Sequence, residues 1–369
     1  MKNPFSPRWG VDPPVIVGRG ALLDRVDEAI TDGPGSPDRA MLITGVRGVG
    51  KTVFLRTAAE VAKRRDWLTV DIDTNPYMLE HFLGKLADRA SQYGVMDKKM
   101  LTSIGVAGVS LGLSNREVAA ASWDVRMERA IGILRSAGVG LLLTIDEVTP
   151  GSHELDTLAQ AWKRIGGRRD NDVMLIMAGV PEAVGTLINP PPGSVTSFLD
   201  KSQQYTLELL TPDQARDALL IPIQNTGKMI DPDALQLAVS VSKGHPYTVQ
   251  LLGWEMWKAA KDGRITLAHV ESAANRIPYA NSSYHFIMRD RTLAERQFLE
   301  AMVADVGPSR SRDVADRLNK ELSELSYVRA RLIDAGIITA AGHGWVDLAV
   351  PGLREHIQQS LLDGNLSAT

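Results

Sequence analysis

Residues 45 to 52 read Gly-Val-Arg-Gly-Val-Gly-Lys-Thr, directly behind the apolar run Met41-Leu42-Ile43. This is the pattern G-x-x-x-x-G-K-[ST] after a predicted buried strand, and a helical pattern follows it. Such a backbone curls so that its N–H groups point at phosphate oxygens, and the helix N-terminus adds a positive dipole end. The alternative is a glycine-rich turn that only fits the pattern. We predict a nucleotide-binding P-loop, whose binding residues are Gly45, Val46, Arg47, Gly48, Val49, Gly50, Lys51, Thr52 and Val53.

Four side chains carry the predicted chemistry. Lys51 places a positive charge near the β- and γ-phosphates, and Thr52 offers a hydroxyl to Mg2+. A second apolar run, Leu141 to Ile145, leads straight into Asp146 and Glu147. A carboxylate at the end of a central strand suits a second-shell magnesium ligand, which is the role predicted for Asp146, and Glu147 can act as general base toward water. The alternative is a strand that ends in two solvated acids.

The composition limits the function classes. A chain of 369 residues with 44% hydrophobic and 23% charged residues is typical of a soluble protein with two or three domains. A net charge of −3 argues against a protein that coats nucleic acid. The absence of cysteine excludes disulfides and thiolate zinc sites, and the seven histidines show no paired zinc spacing. The first nine residues lack the apolar core of a signal peptide, so we expect a cytoplasmic protein without membrane contact.

Apolar runs predict the architecture of residues 1–211. Alternating strands and helices imply an α/β domain with a mostly parallel five-stranded sheet. The proline-containing leader, residues 4–14, is expected to be extended and to lie across another surface, and residues 101–113 suggest an inserted β-hairpin. The predicted strands are Ala40–Thr44, Trp67–Asp73, Gly140–Ile145, Asp172–Ala178 and Tyr205–Leu209.

The strand pattern stops after Thr211. Residues 212–288 are predicted to be a helical lid, with Trp254 and Trp257 packed in its core. Residues 289–369 show three helical stripes, then a Gly-His-Gly turn at 342–344 inside an alternating pattern. Three helices followed by a β-hairpin is the pattern of a winged helix-turn-helix.

Several motifs together resemble those of AAA+/STAND-type P-loop ATPases, in the branch that contains the origin-recognition ATPases. They are Val17-Gly18-Arg19, the P-loop, Asp146-Glu147, Gly244-His245-Pro246 and the terminal winged helix. The resemblance implies that ATP and Mg2+ are bound. It also implies that Val17, Gly18 and Arg19 lie against adenine while His245 and Pro246 close over the base. The alternative for His245 is a helix-capping or surface histidine. Nucleotide-linked homo-oligomerisation is common in such proteins and is therefore expected.

The chain departs from this pattern in groups that assist catalysis. The fourth strand ends in Ala178-Gly179, where many relatives carry a polar residue that senses the γ-phosphate. No arginine occurs between Met177 and Gln204, where many AAA+ proteins keep an arginine finger, and Lys201 is the only cation there. Arg168 and Arg169 precede the fourth strand and are expected to lie away from the site. The lid also lacks a clear arginine at the usual second sensor. Because positioning and charge stabilisation supply most phosphoryl-transfer catalysis, these departures predict slow turnover.

The winged helix is a candidate double-stranded DNA module. From Arg289 onward there are ten Lys/Arg against twelve Asp/Glu, so the domain is not basic overall. If Leu325, Val328 and Leu332 face the core, the opposite face of their helix is polar without a cation. The predicted phosphate contacts are Arg310, Arg312, Arg317, Lys320 and Arg331, with His343 on the wing. A winged helix that only makes protein contacts is the alternative.

The sequence thus favours an ATP-binding, Mg2+-dependent, slow ATPase whose lid and winged helix respond to the nucleotide. Two alternatives stay open. One is a regulator that binds ATP without hydrolysing it, which the missing sensors favour. The other is an adaptor whose output is a protein partner, which the nearly neutral winged helix allows.

Overall fold

A computed structural model describes residues 2–8, 10–46, 48–97, 122–149, 152–188, 201–280, 288, 291–342, 344–350 and 352–362. The predicted hairpin at 101–113, Arg47 and His343 lie outside these residues. The chain forms two compact units. The sheet unit comprises Arg19–Gly45 and Lys51–Leu207, and the helical unit comprises Met1–Gly18, Val46–Gly50 and Glu208–Thr369.

The sheet unit is built on five parallel strands in the order β2-β3-β4-β1-β5. This confirms the predicted α/β fold and the predicted sheet. The strands are β1 (Ala40–Thr44), β2 (Leu68–Asp73), β3 (Leu141–Asp146), β4 (Val173–Gly179) and β5 (Gln203–Thr206). Because all five run in the same direction, their carboxyl ends lie at one edge of the sheet, where β1 leads into the P-loop and β3 into Asp146.

Helices lie between the strands and bury their apolar residues. One core face joins alternate residues of β2 and β3, such as Val70 and Leu143, to helices α3 to α5. The helices of this unit are α1 (Gly20–Asp32), α2 (Lys51–Lys63), α3 (Met78–Gln92), α4 (Trp123–Ser136), α5 (His153–Gly166) and α6 (Pro181–Ile188), with a short 3-10 helix at Pro37–Arg39.

The predicted bounds of the last strand were wrong, by two residues at its start and by three at its end. It was expected at Tyr205–Leu209, but β5 spans Gln203–Thr206. The N–H of Leu207 still donates to the carbonyl of Thr44, at 2.7 Å, whereas Leu210 is buried in the core of the helical unit. The apolar pattern that suggested a longer strand therefore continues past the sheet unit, which ends at Leu207.

The lid part of the helical unit contains α7 (Pro212–Asn225), α8 (Pro232–Ser242), α9 (Pro246–Ala259) and α10 (Leu267–Ala280). The prediction that strands stop after Thr211 was wrong, because β6 (Met229–Ile230) and β7 (Arg264–Ile265) pair in parallel. Two residues are too few to produce a readable alternation. Trp257 is buried and Trp254 packs against the same core, as predicted.

The leader packs on the lid, which confirms that it lies across another surface. Phe5 is fully buried, and a Cβ placed on Gly253 of α9 would lie 2.4 Å from its ring. The side chain of Asn3 donates to the carbonyl of Trp254, and the N–H of Ser6 donates to the side chain of Gln250. These contacts fix the chain that leads toward Val17.

The rest of the helical unit has a winged-helix-like order of elements. Three helices form its core, namely α11 (Leu293–Met302), α12 (Ser311–Arg317) and α13 (Leu322–Asp334). The hairpin of β9 (Ile338–Ala340) and β10 (Trp345–Leu348) follows them. Two elements were not expected. They are β8 (Ser309–Arg310), which pairs with β10, and a further helix, α14 (Leu353–Leu362), whose Leu353 and Ile357 are buried in this core.

Candidate nucleotide site

The P-loop backbone uses glycine where no other residue fits easily. Gly45, at the end of β1, has φ 156°, and Gly48 and Gly50 have φ 78° and 99°. These are conformations that side-chain-bearing residues rarely adopt. The N–H of Val49 donates to the carbonyl of Val46 at 3.3 Å, which closes the turn. Since α2 begins at Lys51, the N–H groups of its first turn directly follow this turn.

The two side chains that end the motif make specific contacts in the sheet unit. The ammonium group of Lys51 donates to the carbonyl oxygen of Gly45 at 2.6 Å. The hydroxyl of Thr52 donates to Oδ2 of Asp146 at 2.5 Å, joining α2 to the end of β3. The two residues predicted separately as magnesium ligands therefore lie together. Both present hard oxygen atoms, which is the ligand type that Mg2+ prefers.

Glu147 stands beside this pair in a strained backbone conformation. Its φ is 50°, in the left-handed region that a non-glycine residue rarely adopts, and its side chain is exposed. Its N–H donates to Oδ1 of Asp146 at 2.9 Å, so the backbone of one acid orients the carboxylate of the other. Strain of this kind costs on the order of 1–3 kcal/mol and often occurs at functional sites.

The end of β4 forms an apolar wall behind these acids. Ala178 and Gly179 are buried, and the N–H of Val148 donates to the carbonyl of Ala178 at 3.0 Å. A Cβ on Gly179 would lie 2.6 Å from Cγ2 of Val148, so a polar side chain has no room there. The packing of Val148 against Gly179 therefore excludes a polar sensor side chain at this position. Arg168 precedes β4, which puts it at the amino edge of the sheet, away from the P-loop edge.

The predicted adenine segment spans the boundary of the two units. Val17 packs against the core of the helical unit. Gly18 has φ 69°, and a Cβ there would lie 2.6 Å from Oε1 of Gln214. Thr211 holds that glutamine through a capping box at the start of α7. Arg19, the first residue of the sheet unit, is 9% exposed. That these residues contact adenine stays a prediction.

His245 and Pro246 begin α9, with the histidine at the N-cap and the proline in the first turn. A Cβ on Gly48 would lie 2.6 Å from Cε1 of His245, so the imidazole lies against the P-loop backbone inside the helical unit. The preceding residue, Gly244, exchanges backbone contacts with Leu210, whose N–H donates to its carbonyl at 2.8 Å. The role of His245 and Pro246 over a base stays a prediction.

The predicted DNA-contacting cations fall into two groups. Arg317 donates to both carboxylate oxygens of Asp305, which lowers the pKa of that carboxyl, and Arg331 pairs with Glu295 at 3.1 Å. In contrast, Arg310, Arg312 and Lys320 are exposed, and the described part of the chain gives them no ion pair.

Two residues near the predicted site were missed in the sequence. Gln214 was signalled by the pattern Thr-x-x-Gln before an apolar helix, which predicts a capping box. Asp73 ends β2 and pairs in register with Asp146 on β3. Asp73 and Asp146 share one sequence signal, a predicted strand that ends in an aspartate. Parallel strands bring such ends to one edge of the sheet.

Among the described residues, no group of three or more histidine and acidic side chains is arranged to hold a metal ion. A site of one threonine and one aspartate needs further ligands, and Mg2+ often takes these from substrate phosphates and water. None of the helices in the described ranges has the length and apolar character needed to cross a membrane.

Comparison with known families agrees with the geometry. Residues 15–164 match the AAA ATPase domain, and residues 282–357 match a domain of unknown function, DUF8462. No curated protein matches the sequence significantly. The match over residues 15–164 confirms the resemblance to P-loop ATPases.

Solved structures share the fold over nearly the whole chain. The ORC2 protein of Aeropyrum pernix, in its ADPNP-ADP complexes, is 15% identical over 98% of each chain, with a TM-score of 0.63. The Walker-type ATPase PABY2304 of Pyrococcus abyssi has the same identity and TM-score, over 93% of this chain and 96% of its own. Cdc6p of Pyrobaculum aerophilum is 18% identical over 97% of each chain, with a TM-score of 0.50. At these identities the likeness shows the fold.

We predict that the hydroxyl of Thr52 makes ATP binding depend on Mg2+. In Thr52→Val the shape is kept and the hydroxyl is lost, so the gain in ATP affinity on adding Mg2+ should fall at least about tenfold. Titration of a fluorescent ATP analogue in Mg2+ and in EDTA measures this gain. Thr52→Ser keeps the hydroxyl and should keep the gain. An undiminished gain in Thr52→Val would contradict the assignment.

Proposed function

We propose that this chain is a Mg2+-dependent ATPase with slow turnover that works as a nucleotide-controlled switch. The observation that carries the proposal is the contact of Thr52 with Asp146, because it joins the P-loop helix to the strand end that bears the acids. The A. pernix ORC2 structure contains ADPNP and ADP, which supports adenine as the base.

Each residue has a distinct proposed role. The P-loop N–H groups and Lys51 bind the phosphates, and Thr52 with Asp146 would hold Mg2+. A Mg2+ ion held there would supply positive charge to the transferred phosphoryl group. The exposed carboxylate of Glu147 orients a water molecule and accepts its proton. A nearby backbone constraint, the hydrogen bond from Glu147 to Asp146, fixes the two acids relative to each other.

Slow turnover follows from the surroundings of these acids. The wall of Ala178, Gly179 and Val148 offers no hydrogen-bond donor from a side chain to the γ-phosphate. The sequence between Met177 and Gln204 has no arginine to stabilise the transition state. A chain that binds tightly and hydrolyses slowly stays in its ATP state for a long time, which suits a switch.

We predict that Glu147→Gln binds ATP with little change but hydrolyses it at least about a hundredfold more slowly, because a general base contributes on that order. The measurement is ATP turnover at saturating Mg-ATP, with binding measured separately. Glu28→Gln, an exposed acid of α1, is the control for the change in charge and should turn over ATP like the wild type. If wild type and variant both bind ATP and neither hydrolyses it, the non-hydrolysing regulator is correct.

A chain of contacts inside the helical unit supports the switch. The backbone of Gly48 lies against His245, and two residues earlier Lys243 donates to Glu355 on α14. This hydrogen bond lowers the pKa of Glu355. Lys243 caps α8 in the left-handed conformation, with φ 48°, which turns the chain into Gly244 and His245. Displacement of His245 by a bound nucleotide would therefore change the contact between Lys243 and Glu355 of α14.

We predict that the ion pair of Lys243 and Glu355 transmits the nucleotide state. On ATP binding, hydrogen–deuterium exchange of α14 should change in the wild type. The change should be lost in Lys243→Glu and in Glu355→Lys, and restored in the double variant, where the pair is reversed. Low salt is needed, because both side chains are more than half exposed and such pairs are weak and screened. An unchanged response in both single variants would exclude this route.

Double-stranded DNA is a second candidate ligand, favoured by the unpaired exposed cations Arg310, Arg312 and Lys320 of the described winged-helix-like region. Arg310 stands opposite Trp345 on the neighbouring strand β10. Against this, the start of α13 carries two acids, because Glu321 is its N-cap residue and its N–H donates to the carboxylate of Glu324 in the first turn. The balance supports weak binding to phosphates without sequence preference.

We predict that Arg310→Ala with Arg312→Ala weakens binding to duplexes of any sequence and lowers the salt dependence of binding by about two phosphate contacts. Fluorescence anisotropy with two unrelated duplexes, over a range of salt concentrations, measures the affinity and the slope of its logarithm against the logarithm of the salt concentration. Arg317→Ala is a poor probe because Arg317 is paired with Asp305. Equal affinity of wild type and double variant in low salt would leave the winged-helix-like region as a protein-contact module.

A further inference from the structure

The carboxyl end of β2 brings a second aspartate to the proposed magnesium site. Strands β2 and β3 are parallel neighbours over six residue pairs, from Leu68 and Leu141 to Asp73 and Asp146. Neighbouring strands lie about 4.8 Å apart, and paired residues of a parallel ladder project from the same face. Asp73 therefore lies directly beside Asp146 in the sheet.

The face on which Asp73 projects follows from its neighbours. Val70 and Ile72 are buried in the core with α3 to α5, so Asp73 projects on the opposite face. That is the face on which the carboxylate of Asp146 accepts the hydrogen bond from Thr52 of α2. The side chain of Asp73 and the Thr52–Asp146 contact thus lie on the same side of the sheet.

Within the ranges that the structure describes, no basic side chain forms an ion pair with Asp73. Two residues earlier on β2, Asp71 is paired with Lys85 of α3, at 2.8 Å. Asp73 is exposed, and the described part of the chain provides no cation within ion-pair distance of it. Two carboxylates side by side at the end of adjacent strands repel each other unless a cation lies near both.

We propose that Asp73 is a positioning residue for the metal, which with Asp146 holds water molecules of the Mg2+ that accompanies ATP. This inference rests on the proposed function of the Thr52–Asp146 site. Mg2+ usually keeps several of its waters, so carboxylates can act on it without direct coordination. Asp73 accepts hydrogen bonds from those waters and adds negative charge next to the cation, which raises the affinity for Mg-ATP over free ATP.

The sign of the effect differs between the two nucleotide forms, and this makes the proposal testable. In Asp73→Asn, the affinity for Mg-ATP should fall, whereas the affinity for free ATP in EDTA should stay the same or rise, because a negative charge near the phosphates has been removed. The Mg2+-dependent gain in affinity should fall about tenfold, the lower end of the range for residues that act through a metal's inner ligands. A general structural defect would weaken both forms.

The experiment is a titration of the full chain with a fluorescent ATP analogue, in Mg2+ and in EDTA. Asp73→Glu keeps the charge and should recover part of the gain. Asp88→Asn, on the exposed face of α3, controls for net charge and should behave as wild type. If the wild type shows a gain that Asp73→Asn keeps in full, the inference is wrong while the proposed function stands. If the wild type shows no Mg2+-dependent gain, the proposed metal site itself is wrong.

Discussion

The contact between the hydroxyl of Thr52 and the carboxylate of Asp146 is the interaction on which the proposed chemistry depends. It requires α2 to start at Lys51 and β3 to end at Asp146, at the same edge of the sheet as the end of β1. Both conditions follow from the parallel sheet, whose strands bring their carboxyl ends to one edge. The strained backbone of Glu147 and the placement of Asp73 then follow from the same strand ends. A shift of β3 by one residue would turn Asp146 to the other face of the sheet and separate these groups.

In the proposed switch, the helical unit responds to the bound nucleotide. P-loop residues 46–50 group with this unit, and they continue covalently into Lys51 at the start of α2. Gly48 lies against His245, and Lys243 reaches Glu355 in the last described helix. An exposed ion pair contributes little stability, typically below about 1 kcal/mol, so such a link can break and re-form as the bound nucleotide changes. In the same proposal, the apolar wall at Gly179 leaves the γ-phosphate without a side-chain donor from β4, which accounts for slow hydrolysis.

Much of the sheet unit could be predicted because its strands are unambiguous. Runs such as Leu141 to Ile145 are apolar on both faces, and the residues after them carry the predicted motifs. The end of β5 could not be predicted, because the apolar pattern continues past Thr206 into residues of the helical unit. The pairing of β6 with β7 could not be predicted, because strands of two residues show no alternation of apolar and polar side chains. Ion pairs between residues far apart in the sequence could not be predicted either. The sequence therefore could not show that Arg317 is paired with Asp305 whereas Arg310 forms no ion pair within the described ranges. The contact of His245 with Gly48 depends on tertiary packing in the same way.

The most direct test of the central claim is a crystal structure of the chain with Mg2+ and a non-hydrolysable ATP analogue. The account predicts one cation coordinated by the hydroxyl of Thr52 and by phosphate oxygens, with water molecules joining it to Asp146. It also predicts the phosphates within the P-loop and the carboxylate of Glu147 facing the γ-phosphate. A nucleotide bound without metal at Thr52, or bound outside the P-loop, would contradict the account.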